Sequence, residues 1–145
     1  MFTKTALALA TVLSLTAVAE ADNLSGWGTR DWTTFHSSFM GDITLQPNGT
    51  LEGHFTIITN NDNEEQVVCR YLRFKPTRIG NGSWIFDGWG QCLSASTGYY
   101  AVSNRFVIID YGAGPNDYID VNYYGAVGPS VPGGNLQSGD MISVP

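Results

Sequence analysis

Beyond residue 21 the apolar positions recur every second residue, and nowhere with helical spacing. In "GDITLQPNGTLEGHFTIIT", Ile43 and Leu45 fall on one side and Asp42 and Thr44 on the other. Pro47-Asn48-Gly49 supplies a turn: proline fixes a negative φ, and Asn-Gly tolerates a positive one. Leu51, Gly53, Phe55 and Ile57 then share a face, with Glu52, His54 and Thr56 opposite. This pattern predicts an antiparallel hairpin with one buried and one wet face.

The same rhythm continues. Asn60 to Glu65 is a polar loop, "QVVCRYLRFK" a third strand, Pro76 to Gly82 a turn and Ser83 to Leu93 a fourth strand. "SASTG" turns the chain before a short strand at Tyr99 to Val102, and "RFVIIDY" is a separate buried strand. "GAGPND" turns again before "YIDVNYYG". Residues 126–145 are rich in Gly, Pro and Ser and read as an extended tail with one closing strand at Met141 to Val144. The total of about seven or eight strands in hairpin succession predicts an all-β antiparallel meander. Closure into a barrel removes its two edges, with a two-sheet β-sandwich as the alternative. Gly41, Gly53, Gly88 and Gly90, inside strands, fit the bends of a small barrel.

Residues 1–21 read differently. Lys4 precedes an apolar or small-residue run from Ala6 to Ala19, and Ala19-Glu20-Ala21 has the small-x-small form of a signal-peptidase site. The run is shorter than the roughly 20 residues a membrane span needs. The expectation is a cleaved signal peptide of bacterial appearance, a β-barrel domain over 22–125 and the tail from 126. Such a chain is secreted or periplasmic, with no membrane span. Cleavage removes one charge of each sign, Lys4 and Glu20, so the net charge stays at −6. That sign argues against nucleic acid and anionic membrane surfaces as partners.

Export gives meaning to the only two cysteines, Cys69 and Cys92. In an oxidising compartment such a pair closes, and folding the hairpin about Gly80 to Gly82 brings them together. A closed loop of about 22 residues stabilises by roughly 3 kcal/mol in the chain-entropy model.

The stretch "NLSGWGTRDW…ITLQPNGTLEGHFTIIT" resembles the opening of avidin-type barrels, where a Leu-Ser/Thr-Gly turn meets a tryptophan. The first hairpin of that family reads Gly-x-Leu/Phe-x-Gly-x-Phe/Tyr, here Gly49, Leu51, Gly53 and Phe55. The resemblance implies the barrel architecture. It carries over no binding residue, because the tryptophans and polar groups of that family's biotin site have no match downstream. The wider calycin barrels, which hold small ligands in an apolar mouth, compare in the same way.

Aromatic residues are the main candidate chemistry. In "SWIFDGWGQCL" alternation puts Trp84, Phe86, Gly88, Gly90 and Cys92 on one side, with Ile85, Asp87, Trp89, Gln91 and Leu93 on the other. One tryptophan therefore faces the core, and the other faces a surface or cavity. Either both are structural, or the rings form a stacking platform that Trp27, Trp32, Tyr99, Tyr100, Tyr123 and Tyr124 extend. Arg70, Arg73, Lys75 and Arg78 fall within nine residues, on the third strand and the turn after it; alternation groups Arg73 and Lys75 with Tyr71 and places Arg70 opposite. An inward arginine there would clamp a carboxylate, whereas an outward one is an ordinary surface cation.

Other chemistries find less support. His36, His54, Asp31, Asp87 and Asp110 are the acid–base candidates, but no spacing pairs them, so no catalytic residue is assigned. Asp110, Asn116, Asp117 and Asp120 surround one turn, where hairpin capping accounts for them better than calcium. No metal or cofactor is expected. The leading expectation is a small apolar or aromatic ligand held in the barrel's open end by Tyr71, Trp84, Trp89 and Tyr99, with Arg73 as polar anchor. The alternatives are a protein partner, such as an enzyme inhibitor acting through the end loops, and a small barrel isomerase or cyclase.

Overall fold

The computed structural model describes residues 22–31, 35–61, 65–123 and 131–145. The proposed signal peptide lies outside them, as do Trp32 and Tyr124. The strands are β1 (Asp22–Asp31), β2 (Phe35–Leu45), β3 (Leu51–Asn61), β4 (Gln66–Gly80), β5 (Ser83–Ser94), β6 (Gly98–Ile109), β7 (Tyr118–Tyr123), β8 (Val131–Asn135) and β9 (Ser138–Val144). They form one strongly curled antiparallel sheet in the order β8-β7-β6-β5-β4-β3-β2-β1-β9. The architecture is an all-β, barrel-like meander. Among the described residues no helix is long and apolar enough to cross a membrane.

Local sequence makes the turns. Asn81 and Gly82 have φ of 52° and 74°, and Gly80 pairs with Ser83 across them. Two positive φ values in a two-residue loop match the right-handed twist of the flanking strands. The Pro47-Asn48-Gly49 turn is held by Asn48 Oδ1, which accepts from the Thr50 amide at 3.0 Å.

The structure departs from the reading of the sequence in three ways. The short strand at Tyr99 and the "RFVIIDY" strand are one continuous β6, paired along its length with β5. Asp22–Asp31 is a full strand, and the C-terminal tail contributes two, β8 and β9. The third departure lies in β4. The β4–β5 register shifts once between Tyr71 and Arg73 and again between Pro76 and Arg78. Each shift inserts one extra residue on β4, as a β-bulge does. From the Asn81-Gly82 turn, unbroken pairing would set Cys69 opposite Ser94; the two shifts set it opposite Cys92 instead. The Cys69–Cys92 disulfide joins β4 to β5 at this pair, with Cα atoms 4.0 Å apart.

The concave side of the sheet is filled. Phe106 packs on Phe55, Tyr71 and Phe86 with ring centroids 5.2, 4.9 and 4.9 Å away, and Phe74 extends the group through Phe86 at 5.7 Å. Gly41 and Gly88 make room for these rings: a Cβ on Gly41 would lie 2.3 Å from the Phe55 ring, and one on Gly88 2.8 Å from that of Phe106. These two strand glycines serve close packing. Trp84, Phe39, Ile43, Ile57, Ile108, Ile119 and Met141 complete a fully buried core.

Among the described residues no ladder pairs the edge strands β8 and β9, and side chains reach β9 from elsewhere in the sheet. The β6–β7 loop reaches across to β9, where Asp117 Oδ2 accepts from the Met141 amide at 2.6 Å and Asp110 Oδ2 from the Ser143 amide at 2.8 Å. Their other oxygens cap the loop itself, accepting from Tyr111 N and Gly112 N. Trp84 Nε1 donates to Ser143 Oγ at 2.9 Å. Two of the aspartates that surround this turn in the sequence, Asp110 and Asp117, thus satisfy two edge amides of β9.

Asp117 is fully buried. Burial raises its carboxyl pKa, the Met141 and Tyr111 amides oppose the rise, and the nearby Asp110 and Asp140 carboxylates add to it. A carboxyl whose pKa is higher folded than unfolded favours the fold most below its unfolded value; that contribution fades as pH rises through the folded value. Asp117→Asn, which loses an acceptor for a buried amide, is expected to cost about 1–3 kcal/mol. The wild type's advantage over this variant should widen as pH falls from about 7 to about 4. Urea midpoints across that range check the sign, and a narrowing gap would contradict it. Cys69→Ala with Cys92→Ala should lower the same midpoint by an amount equivalent to roughly 3 kcal/mol.

Candidate functional site

The bulge at Tyr71/Arg73 decides which residues meet. Simple alternation puts Tyr71 and Arg73 on one face and Arg70 on the other, but the extra residue reverses the phase beyond Tyr71. Tyr71 stays inside, fully buried, and Arg70, Leu72 and Arg73 all face out and are exposed. The sequence carries a trace of this. The inward apolar residues of β4 are Val67, Cys69, Tyr71, Phe74 and Ile79, and their spacing is not a constant two.

On the outer wall, three cross-strand rows then line up over β4, β5 and β6. The first is Val68, Leu93 and Tyr99; the second Arg70, Gln91 and Ala101; the third Arg73, Trp89 and Ser103. Together with Leu72, Gly90 and Val102, these residues except Ser103 line an open groove of about 930 Å³. Large apolar side chains bound it at both ends, with Trp89 and Leu72 on one side and Leu93 and Tyr99 on the other. Trp89 and Leu93 are four residues apart, about 13 Å at strand rise. Between them the floor is polar or small. Leu72 is 68 % exposed and Tyr99 74 %, so both ends of the groove present large side chains to solvent.

The five residues proposed as ligand-binding therefore divide. Arg73, Trp89 and Tyr99 come together in the groove. Tyr71 and Trp84 sit in the packed interior, where the Tyr71 hydroxyl donates to Asn104 Oδ1 at 2.6 Å and the Trp84 indole to Ser143 Oγ. Of the further aromatics, Trp27 is exposed on β1 beside Met40, away from the groove, and Tyr100 packs against the core. Simple alternation along β4 did not bring Arg70 and Leu72 together with Arg73.

The groove's electrostatics are one-sided. Neither Arg70 nor Arg73 forms an ion pair with a described residue. The nearby acids are engaged elsewhere. Asp87, two residues along β5 from Trp89, takes both Nε and Nη2 of Arg105 at 2.9 and 3.3 Å. Glu65 accepts from the Ser96 hydroxyl, and that bond, the largest influence on it, holds its carboxyl below the usual range.

A second polar constellation lies at the β1–β2 end. His36 Nδ1 meets Asp31 Oδ1, and His36 Nε2 lies 3.5 Å from Ser38 Oγ. The order carboxylate–imidazole–hydroxyl matches a nucleophile relay. The imidazole–hydroxyl contact is at the limit of a hydrogen bond, and the Asp31 and His36 side chains are 64 % and 43 % exposed. No residue of this group lines the groove. It reads as surface hydrogen bonding across a hairpin. Among the described residues no three His, Cys, Asp or Glu side chains are placed to hold a metal ion.

Compared with known protein families, curated proteins and solved structures, the chain matches none. The inside–outside division is tested by stability. Tyr71→Phe, which removes a buried hydrogen bond to the Asn104 amide oxygen, should cost about 1–3 kcal/mol. Tyr99→Ala, on the outer wall, should stay within about 0.5 kcal/mol of wild type. Equal losses in thermal melts would mean the groove residues are structural.

Proposed function

We propose that this is a secreted or periplasmic binding protein that takes a small apolar or aromatic ligand on its outer wall, in the groove over β4–β6. The leader-like residues 1–21 and the Cys69–Cys92 disulfide support export, since such bridges persist in oxidising compartments. The single observation that carries the binding reading is the juxtaposition of Trp89, Tyr99, Leu72 and Leu93 around one groove. Its volume lies in the range of about 300–1,000 Å³ typical of small-ligand sites. The filled concave side supports a site on the wall in place of the barrel's mouth.

The energetics are modest. A two-ring ligand burying on the order of 200 Å² of apolar surface gains about 5 kcal/mol. Lost translational and rotational freedom offsets part of that gain, so the expected affinity is micromolar or weaker. A second reading is an extracellular interaction protein. It draws support from Trp27 and Met40, cross-strand neighbours on β1 and β2 and each 55 % exposed, flanked by Ile142 on β9.

The neutral fluorophore N-phenyl-1-naphthylamine tests the first reading. It should quench tryptophan emission saturably, and the quenching should disappear in Trp89→Phe. Tyr99→Ala and Leu72→Ala should each weaken binding by about tenfold at most, the scale of truncating a contact aromatic or aliphatic anchor. Trp27→Ala, outside the groove, should leave the affinity unchanged. Quenching that survives Trp89→Phe but is lost in Trp27→Ala would move the site to the other face.

A further inference from the structure

Resting on the groove reading, we infer that the ligand is a flat aromatic anion, with its ring against one apolar end of the groove, Trp89 or Tyr99, and its carboxylate or sulfonate held by Arg70 and Arg73. The two arginines are the basis. They stand on adjacent outward rows of β4 and border the same groove as the two rings. The β4 bulge is what puts them on one face.

In a chain of net charge −6, an arginine on a sheet surface ordinarily finds a carboxylate neighbour. Here the candidate acids are committed, Asp87 to Arg105 and Glu65 to Ser96, and neither Arg70 nor Arg73 has an ion-pair partner among the described residues. A guanidinium presents a planar fork of donors that matches a carboxylate or sulfonate edge in two parallel hydrogen bonds. Beside it, Gln91, paired with Arg70 across the strands, offers an amide that donates to the same anion. The arrangement therefore complements a molecule with two unlike ends. One is a ring system that stacks against an apolar end wall, Trp89 with Leu72 or Tyr99 with Leu93. The other is a negative group over the Arg70–Gln91 floor. Neutral rings would use the walls and leave the arginines idle. Acetate-like anions would use the arginines and leave the walls wet.

Two matched pairs of probes separate these contributions. 1-Anilinonaphthalene-8-sulfonate is N-phenyl-1-naphthylamine with one sulfonate added, and 2-naphthoate differs from 2-naphthamide only in the anionic group. With the purified protein at low salt, each anion should bind about tenfold tighter than its neutral twin, the lower end expected for a charge-assisted hydrogen bond at a partly exposed site. The preference should shrink toward unity in about 1 M NaCl, where charges more than about 3 Å apart are screened. Arg70→Gln with Arg73→Gln should abolish the preference while leaving the neutral probes unchanged, and Arg70→Lys with Arg73→Lys should restore part of it. All four residue changes are on the exposed wall, and unchanged far-ultraviolet circular dichroism confirms the fold. Neutral and anionic twins binding alike overturns the anion inference and leaves the groove reading standing. If no probe of either kind binds, both fall together. The sulfonate and carboxylate arms also show which anion the arginines prefer.

Discussion

Phe106 is the residue on which the rest of the molecule is arranged. Its ring stacks on Phe86, meets Tyr71 and Phe55 edge-on, and occupies the space that Gly88 leaves open. Aromatic pairs in these geometries contribute about 0.5–1.5 kcal/mol each beyond their buried area. The consequence is geometric as much as energetic. A curled sheet small enough to be plugged by one cluster of rings has its concave side occupied by its own side chains. Tyr71 shows the division at one residue: its hydroxyl is spent inside on Asn104, so it has no polar end to offer a ligand.

The β4 bulges link that core to the outer wall. By adding two residues to β4 relative to β5, they keep Cys69 and Cys92 inward and paired while Leu72 is pushed into solvent beside Arg70 and Arg73. One bulge alone would have slid the pairing by a single residue and flipped every side chain beyond it to the other face. Two restore the phase, and only the stretch around them is out of step. The groove sits over the first bulge, at Leu72. This is a common use of bulges, which aim a few side chains without disturbing the sheet as a whole.

Closure of the sheet rests on a third device. The amides of an edge strand left unpaired invite association with another chain. Asp110 and Asp117 satisfy two of β9's amides with carboxylate oxygens, so the β6–β7 loop acts as a short substitute for a strand. Asp117 carries the cost of desolvation for this, and its neighbours Asp110 and Asp140 are of like charge. A side-chain seam of this kind holds the curl without a continuous ladder around the barrel.

Much of this was legible in the chain by itself. The alternation on β5 correctly separated Trp84 from Trp89, because no register shift falls on that strand's own residues, but it did not say which of the two was core. The Asn-Gly turns and the cysteine pairing were readable because turn chemistry and covalent bonding depend on residue identity at close range. The companionship of Arg70 with Arg73, the filling of the interior and the task of Asp110 and Asp117 were not readable. Each depends on a residue distant in sequence: a register set across β4 and β5, rings converging from several strands, or an amide on β9. Period-two spacing says which side of a strand a residue takes only until a bulge intervenes. Whether a bulge forms is settled by how the whole sheet packs.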